Sequence, residues 1–169
     1  VTVILNKVVK DFNGDTVFVG DDMVIQSHTL IWAAGIKSNS IEGFDETIFT
    51  RGNRLIVDNF NRVKGHDTIF AIGDMAYMTE DKFPNGHPQV AQTAIQQARN
   101  LTRNFVRLSK NKALIPFAYR DLGTLATVGR NRAVVDLSVL RFQGLVAWFF
   151  WMFIHLMAIV GVKNRLLIF

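Results

Sequence analysis

The sequence predicts an α/β fold that carries an apolar helical tail. Short apolar or alternating runs bounded by turn residues cluster in the first 75 residues, as is typical of strands. One long amphipathic pattern begins near Pro88 and predicts a helix. A stretch of 21 residues without a formal charge, residues 142–162, follows near the end. We therefore expect strands first, then a helix that packs on them, and a membrane-anchoring region last.

Composition and charge limit the classes of function. The chain has 169 residues and no cysteine, so a disulfide framework, a thiolate zinc site and an iron–sulfur cluster are excluded from it. Residues 1–106 carry ten Lys and Arg against twelve Asp and Glu, whereas residues 107–169 carry nine against two. A basic segment commonly faces nucleic acid or an anionic membrane surface, and the apolar stretch within it favours the membrane. We expect no nucleic-acid partner and no metal cofactor.

The first 35 residues predict a β-meander followed by a further strand. Turns at Asn13-Gly14 and Asp21-Asp22 separate the runs VTVILNKVV, TVFVG and MVIQ. The run LIWAA, which ends at Gly35, is predicted to be the next strand. After a polar loop, RGNRLIVDNFNRV predicts a strand pair, and IFAI before Gly73 predicts another strand.

The clearest helix is predicted from Pro88 to about residue 109, because Pro suits a first helical turn. Its apolar face is formed by Val90, Ala94, Leu101, Phe105 and Leu108. Its polar face is formed by Gln92, Gln96, Arg99, Arg103 and Arg107. Pro116 ends this pattern, and the segment that follows predicts two short strands joined near Gly129-Arg130-Asn131.

A strand that stops at Gly73-Asp74 has the layout of a ligand site, since ligands bind beyond the carboxyl ends of strands in an open α/β sheet. Gly73 would let the backbone approach a ligand closely, and Asp74 could accept hydrogen bonds from hydroxyls of a sugar or ribityl chain. The alternative is that Asp74 only caps a turn. The start of the next helix, HPQVAQ, favours a ligand, because free N–H groups suit an anion or a carbonyl that gains negative charge, as in a reduced flavin.

Five segments carry a family resemblance: WAAG at 32–35, IFAIGDMA at 69–76, HPQVAQTAIQQA at 87–98, YRDLGTLATVGRNRAV at 119–134 and FQGLVAWFFWMFIHL at 142–156. In this order they resemble the C-terminal part of the type II NADH dehydrogenases, the single-subunit, non-proton-pumping NADH:quinone oxidoreductases. The resemblance spans nearly the whole chain. It implies non-covalently bound FAD, NADH as substrate, and electron transfer to a membrane quinone.

The resemblance also implies the site residues. Gly73 and Asp74 match the Gly-Asp pair that holds FAD, the Asp through the ribityl chain. Ala91 and Gln92 match the Ala-Gln at a helix start that approaches the flavin pyrimidine edge. Gln92 and Gln96 match paired glutamines near the flavin and the quinone and are therefore the expected catalytic residues. Two neutral amides one helical turn apart suit carbonyl oxygens. The alternative for both glutamines is a solvated helix face.

The sequence departs from the resembled family in three respects. HPQVAQ stands where many members have a Pro-Pro-Thr-Ala-Gln type of sequence, although the Ala-Gln is kept. Leu122 stands where many members carry Lys, so a role that depends on Lys does not transfer. Neither of the family's two GxGxxG turns appears, so we expect this chain to be a C-terminal fragment that is inactive alone. The alternative is a membrane-tethered, non-catalytic remnant or binding module without nucleotide binding. The oligomeric state stays open, with a homodimer as one option.

The resemblance divides the chain into three regions. Residues 1–35 would be the end of the NADH-binding domain of a two-dinucleotide-binding-domain flavoprotein, and residues 36–110 the C-terminal part of its Rossmann-like FAD-binding domain. Residues 111–169 would form the membrane-anchoring region.

The tail is expected to attach the protein to a membrane. A helix of about 20 residues can cross the ~30 Å hydrocarbon core, so length alone permits a span. Trp148 and Trp151 lie inside the stretch instead of at its edges, which favours an interfacial helix. Members of the resembled family attach to one leaflet, so we predict a peripheral, monotopic location on the cytoplasmic face of the inner membrane. A single transmembrane helix is the alternative. His155, alone and without a partner at ligand spacing, is predicted to pack and not to bind haem or metal.

Overall fold

The computed structural model describes residues 2–50, 52–137 and 139–158. The chain forms two compact units, Val1–Lys37 and Ser38–Phe169. The three functional regions expected from the sequence remain a prediction.

The first unit is a three-stranded antiparallel meander. Its strands are β1 (Val9–Phe12), β2 (Thr16–Val19) and β3 (Met23–Gln26), in the order β1-β2-β3. The first turn forms because the Asn13 side chain accepts a hydrogen bond from the Thr16 N–H at 2.8 Å, while Gly14 adopts a positive φ of 103°. The predicted meander is therefore confirmed.

The strand predicted at LIWAA is wrong. Residues 30–34 have no strand conformation, and Ile31 and Trp32 are 86% and 61% exposed. A strand requires a neighbour that accepts and donates backbone hydrogen bonds. In the part of the first unit that the structure describes, no strand pairs with this segment, so an apolar composition alone does not make it a strand.

The second unit begins with a small core beneath the predicted ligand turn. The strands β4 (Leu55–Ile56) and β5 (Ala76–Tyr77) form a two-residue parallel pair, and Val57 makes an antiparallel bridge to Val63. The buried cluster around them comprises Ile48, Leu55, Val57, Val63, Ala76, Met78 and Phe117. The strand pair predicted within residues 51–63 is thus present as a short strand and a bridge.

The prediction of a strand at IFAI, residues 69–72, is also wrong, because this segment forms an isolated bridge and not a strand. This segment runs beside residues 61–63, but among the described residues it makes only one bridge, between Phe70 and Arg62. Hydrogen bonds from the Val63 N–H to the Ile69 carbonyl, 2.9 Å, and from the Ala71 N–H to the Asn61 carbonyl, 3.0 Å, hold it there. The chain then enters a 3₁₀ turn at Gly73–Met75, so pairing cannot extend into a ladder.

The predicted amphipathic helix is confirmed as α1 (Ala91–Leu108), which begins three residues after Pro88. Its buried side chains, however, are Thr93, Gln97, Leu101 and Asn104. Of the predicted apolar face, only Leu101 is buried. Polar side chains can occupy the inner face because they bond to backbone: Asn104 exchanges two hydrogen bonds of 2.9 Å with Ile115.

The C-terminal part of the second unit is a three-stranded sheet with a helix packed on it. Strands β6 (Thr124–Thr127) and β7 (Ala133–Asp136) form the predicted antiparallel pair. A third strand, β8 (Arg141–Gly144), was not predicted, because it opens the apolar stretch that was expected to be entirely helical. Helix α2 (Leu145–Ala158) follows and buries Ala147 against Ala133 and Val135.

Part of the predicted membrane-anchoring region lies outside the described residues. Residues 159–162 of the uncharged stretch, and the basic residues Lys163 and Arg165, lie outside the described residues. Among the helices that are described, none combines the length and the hydropathy that a membrane crossing requires. The exposed large apolar side chains of α2 are Leu145, Val146, Phe149, Phe150, Phe153, Ile154 and Met157.

Candidate functional site

The Gly73-Asp74 turn is fixed by helix α1. Gly73 is buried, has a φ of +69°, and donates its N–H to Oε1 of Gln97 at 2.7 Å. A Cβ at this position would lie 3.1 Å from the Cβ of Ala94, closer than such atoms ordinarily pack. Glycine is therefore required here both by backbone conformation and by the close approach of the helix.

Asp74 presents an exposed carboxylate beside this turn. Its backbone carbonyl accepts hydrogen bonds from Oγ of Ser38 at 2.9 Å and from Nε2 of Gln89 at 3.0 Å. The backbone at residue 74 is thus tied to two other segments, while the side chain stays accessible to solvent. This arrangement leaves the carboxylate available to a ligand with hydroxyl groups.

The start of α1 provides backbone donors without a competing side chain. Val90 is the N-cap in an extended conformation, with φ −134° and ψ 154°, and its side chain makes no capping bond. Ala91 and Gln92, the first two helical residues, are exposed. Their N–H groups have no carbonyl one turn earlier within the helix, so they and the helix dipole suit an anion or a polarised carbonyl.

An apolar cleft of about 630 Å³ joins the start of α1 to the end of α2. The segment between Tyr119 and Leu125 forms its third wall. It is lined by Phe83, Gly86, Pro88, Val90, Ala91, Gln92, Ile95, Tyr119, Asp121, Gly123, Thr124, Leu125, Ile154, His155 and Ala158. Another cavity of about 500 Å³ is lined by described residues between Ser40 and Asn53, and none of these is a predicted site residue.

The structure separates the two glutamines that the sequence groups together. Gln92 is exposed and lines the cleft. Gln96 instead bonds to the backbone of Arg120, donating from Nε2 to its carbonyl at 2.9 Å and accepting from its N–H at 3.1 Å. Both polar ends of the Gln96 amide are therefore occupied by a segment that forms one wall of the cleft. The catalytic assignment of both residues stays a prediction.

Two polar groups that sequence reasoning missed support the site. Gln97 is buried on the inner face of α1 and holds Gly73, as described above. Arg54 is buried and donates from one guanidinium nitrogen to the carbonyl of Ala76 at 2.5 Å and to that of His87 at 3.1 Å. Neither residue stands in a pattern that marks it, because both act on backbone groups distant in sequence.

The Arg54 guanidinium stays positively charged although the side chain is buried. Loss of solvent lowers the pKa of its guanidinium, and the nearby side chains of Tyr77 and Asp74 oppose that effect. Arg remains protonated at physiological pH under such conditions, so the guanidinium contributes a fixed positive charge near Asp74.

Comparison with known proteins identifies two family matches. Residues 1–98 match the pyridine nucleotide-disulphide oxidoreductase family, and residues 122–169 match the NDH2 C-terminal domain. The chain is 35% identical over 167 residues to the type II NADH:quinone oxidoreductase NdhA of Mycobacterium tuberculosis, which covers 92% of this chain and 34% of that relative. It is 32% identical over 137 residues to the type II NADH:quinone oxidoreductase of Haemophilus influenzae, covering 79% of this chain and 30% of the relative.

A solved structure has the same fold. The structure of NDH2 from Plasmodium falciparum in complex with NADH superposes with a TM-score of 0.77 at 20% identity, covering 95% of this chain and 48% of that one. The chain spans about a third of the length of the curated relatives it matches. The chain belongs to the pyridine nucleotide-disulphide oxidoreductase family, and its resemblance to the type II NADH dehydrogenases is confirmed.

Proposed function

We propose that this chain is the C-terminal part of an FAD-dependent enzyme that oxidises NADH and passes the electrons to a membrane quinone without pumping protons. The observation that carries the proposal is the apolar cleft that connects the uncapped start of α1 to the end of α2. A mostly apolar cleft with a few polar groups suits a flat, neutral ring such as a quinone. The relatives named as NADH:quinone oxidoreductases support the same activity.

The residues around the Gly73-Asp74 turn fit FAD. Asp74 would accept hydrogen bonds from the ribityl chain, Gly73 would allow close approach of the backbone, and the N–H groups at Ala91 and Gln92 would face the pyrimidine edge. When bound, FAD would accept two electrons from NADH and deliver them to the quinone. No GxGxxG turn occurs in these 169 residues, so we place pyrophosphate binding, for both FAD and NADH, outside them.

Gln92 and Gln96 would serve the quinone in different ways. Gln92 lines the cleft and carries a neutral amide, so it can donate a hydrogen bond to a quinone oxygen without adding charge. Gln96 would act as a positioning residue, because it fixes the backbone of Arg120 in the cleft wall. Gln92 would thus contact the quinone directly, whereas Gln96 would hold the cleft wall in position.

We further propose that the protein lies on one leaflet, on the cytoplasmic face of the inner membrane. Helix α2 carries seven exposed large apolar side chains, among them Phe149 and Phe153, and no Asp, Glu, Lys or Arg. A helix of this kind lowers its free energy by burying its apolar surface in lipid. Since the end of the same helix lines the cleft, a quinone would reach the cleft from the lipid phase.

The test uses the complete polypeptide that contains this sequence, purified with its cofactor. We expect NADH oxidation with a short-chain quinone as acceptor, and we expect Asp74→Ala to lower the FAD content per protein. The matched control is Asp81→Ala, which removes another exposed carboxylate and should retain FAD. Unaltered flavin content in Asp74→Ala would contradict the FAD assignment, and absence of NADH oxidation would favour the non-catalytic alternative.

A further inference from the structure

His155 is a titratable residue of the cleft that the proposed function does not use. It lies in the last turn of α2 and shares the lining with Gln92 and Ile95 of α1. The other titratable residues in the described part of this lining are Tyr119 and Asp121. The Asp121 carboxylate already accepts the Gly123 N–H at 2.8 Å.

The structure holds the His155 ring in one orientation. Its Nδ1 lies 2.8 Å from the backbone carbonyl of Trp151, one helical turn earlier. The two rings stack, with centroids 4.3 Å apart and planes inclined by 29°. Because a carbonyl oxygen only accepts, Nδ1 carries a proton and donates it to Trp151. Nε2 is then the nitrogen left to exchange a proton with a ligand in the cleft.

The groups near His155 make its imidazole the best candidate to exchange a proton with a ligand in the cleft. The strands packed against α2 carry Asp136 and Arg141, which pair with each other at 2.7 Å. Among the described residues of the cleft lining, the Asp121 carboxylate is the acceptor of the Gly123 N–H, and Tyr119 and His155 carry a phenol O–H and an imidazole ring. Of these two groups, imidazole is the one that most often acts as a general acid or base in proteins.

The proposed reaction requires such a donor. Reduction of a quinone to a quinol forms two O–H bonds and consumes two electrons and two protons. NADH supplies a hydride, which is equivalent to two electrons and one proton, so the second proton must come from solvent through the protein. The product is NAD⁺ and quinol, and the proton taken from solvent balances the reaction.

We propose that His155 is a catalytic residue that delivers this second proton from Nε2 to a quinone oxygen in the cleft and recovers a proton from water afterwards. The proposal rests on the proposed function, since it requires that a quinone is reduced in this cleft. Helix α2 would then both lie on the lipid surface and supply a proton to the quinol, which leaves into the lipid.

The test compares two electron acceptors in the complete FAD-loaded polypeptide. A short-chain quinone takes up protons on reduction, whereas ferricyanide takes up electrons alone. We expect His155→Gln to lower kcat for quinone by about 100-fold or more, since general acid catalysis commonly contributes that much. The KM for quinone should stay within about threefold, because the amide still donates a hydrogen bond. Turnover with ferricyanide should stay within about twofold of wild type.

Two further measurements separate proton delivery from a structural role. In His155→Ala, added imidazole should restore quinone reduction and leave ferricyanide turnover unchanged. The dissociation constant of the short-chain quinone, measured by quenching of tryptophan fluorescence, should be nearly unchanged in His155→Gln. Met152→Leu, which alters a half-buried residue of the same helix outside the cleft lining, is the matched control and should retain both activities.

The outcomes distinguish the two proposals. If the wild-type protein reduces ferricyanide but no quinone, the proposed function fails and the role of His155 fails with it. If the wild-type protein reduces quinone and His155→Gln does so at a similar rate, only the role of His155 is overturned. Equal loss of quinone and ferricyanide turnover in His155→Gln, without imidazole rescue in His155→Ala, would also overturn it, since that pattern indicates structural damage.

Discussion

Replacement of Gln97 by Leu tests whether helix α1 holds the Gly73-Asp74 turn. Gln97 is fully buried, and its Oε1 accepts the Gly73 N–H at 2.7 Å. Leu has a similar volume and leaves that N–H buried without an acceptor. A buried donor left unsatisfied costs about 1–3 kcal/mol.

A second contribution reduces this cost. Nε2 of Gln97 is buried and makes no hydrogen bond to any residue that the structure describes, so Leu also removes a polar group that is desolvated without compensation. Relief of that penalty offsets part of the loss, and we expect a net decrease of about 1–2 kcal/mol in the free energy of unfolding. If FAD binds only the ordered turn, its dissociation constant rises by at most about 5–30-fold.

The assay is urea denaturation of the complete polypeptide, together with a titration of the apoprotein with FAD. The matched control is Gln92→Leu, since residue 92 lies on the same helix but is exposed, and its stability should change by less than about 0.5 kcal/mol. Equal stability of Gln97→Leu and wild type, with unchanged FAD affinity, would refute the conclusion that this hydrogen bond fixes the turn.

Two other changes test the geometry around α1. Gly73→Ala should lower the free energy of unfolding by at least about 1–2 kcal/mol, because residue 73 must keep a φ of +69°. Adding Ala94→Gly should relieve the 3.1 Å contact with the new Cβ but not this backbone strain. Denaturation and flavin content are measured for both proteins. Gln96→Leu should cost about 1–3 kcal/mol, since it removes two hydrogen bonds to the backbone of Arg120, and it should raise the KM for quinone more than it alters ferricyanide turnover. A Gly73→Ala protein as stable as wild type, or a Gln96→Leu protein with unchanged KM, would contradict the respective argument.

Sequence patterns predicted the elements whose determinants are local. The meander of the first unit follows from turn residues such as Asn13 and Gly14, which act on neighbours within three positions. The helix at residues 91–108 and the β6–β7 pair were predicted for the same reason. Periodicity and turn chemistry suffice where the partners of a residue are close in sequence.

Distant partners explain what the sequence could not show. The inner face of α1 carries Gln97 and Asn104, which are buried because backbone groups of Gly73 and Ile115 meet them. A hydrophobic pattern cannot reveal such pairs, so the more apolar face was expected to be buried. The strand prediction at residues 30–34 was wrong because these apolar residues have no neighbouring strand in the described part of the chain.

The candidate site shows the same limit. Asp74 and Gln92 are exposed at the positions where a ligand was expected, because Asp74 lies within a turn and Gln92 at a helix start. Gln96 lies one turn from Gln92 and was expected to share its role. The side chain instead reaches Arg120, 24 residues away, and only tertiary structure brings that backbone to it.

The measurement that tests the central claim most directly is photolabelling of the complete FAD-loaded polypeptide with an azidoquinone, followed by peptide mapping. The claim is that quinone binds in the cleft between α1 and α2. We predict that the label attaches to peptides that contain Gln92 or Ile95 and to peptides that contain Ile154 or His155, and that excess unlabelled quinone prevents it. Labelling confined to other segments, or labelling of these peptides that excess quinone does not reduce, would contradict the account.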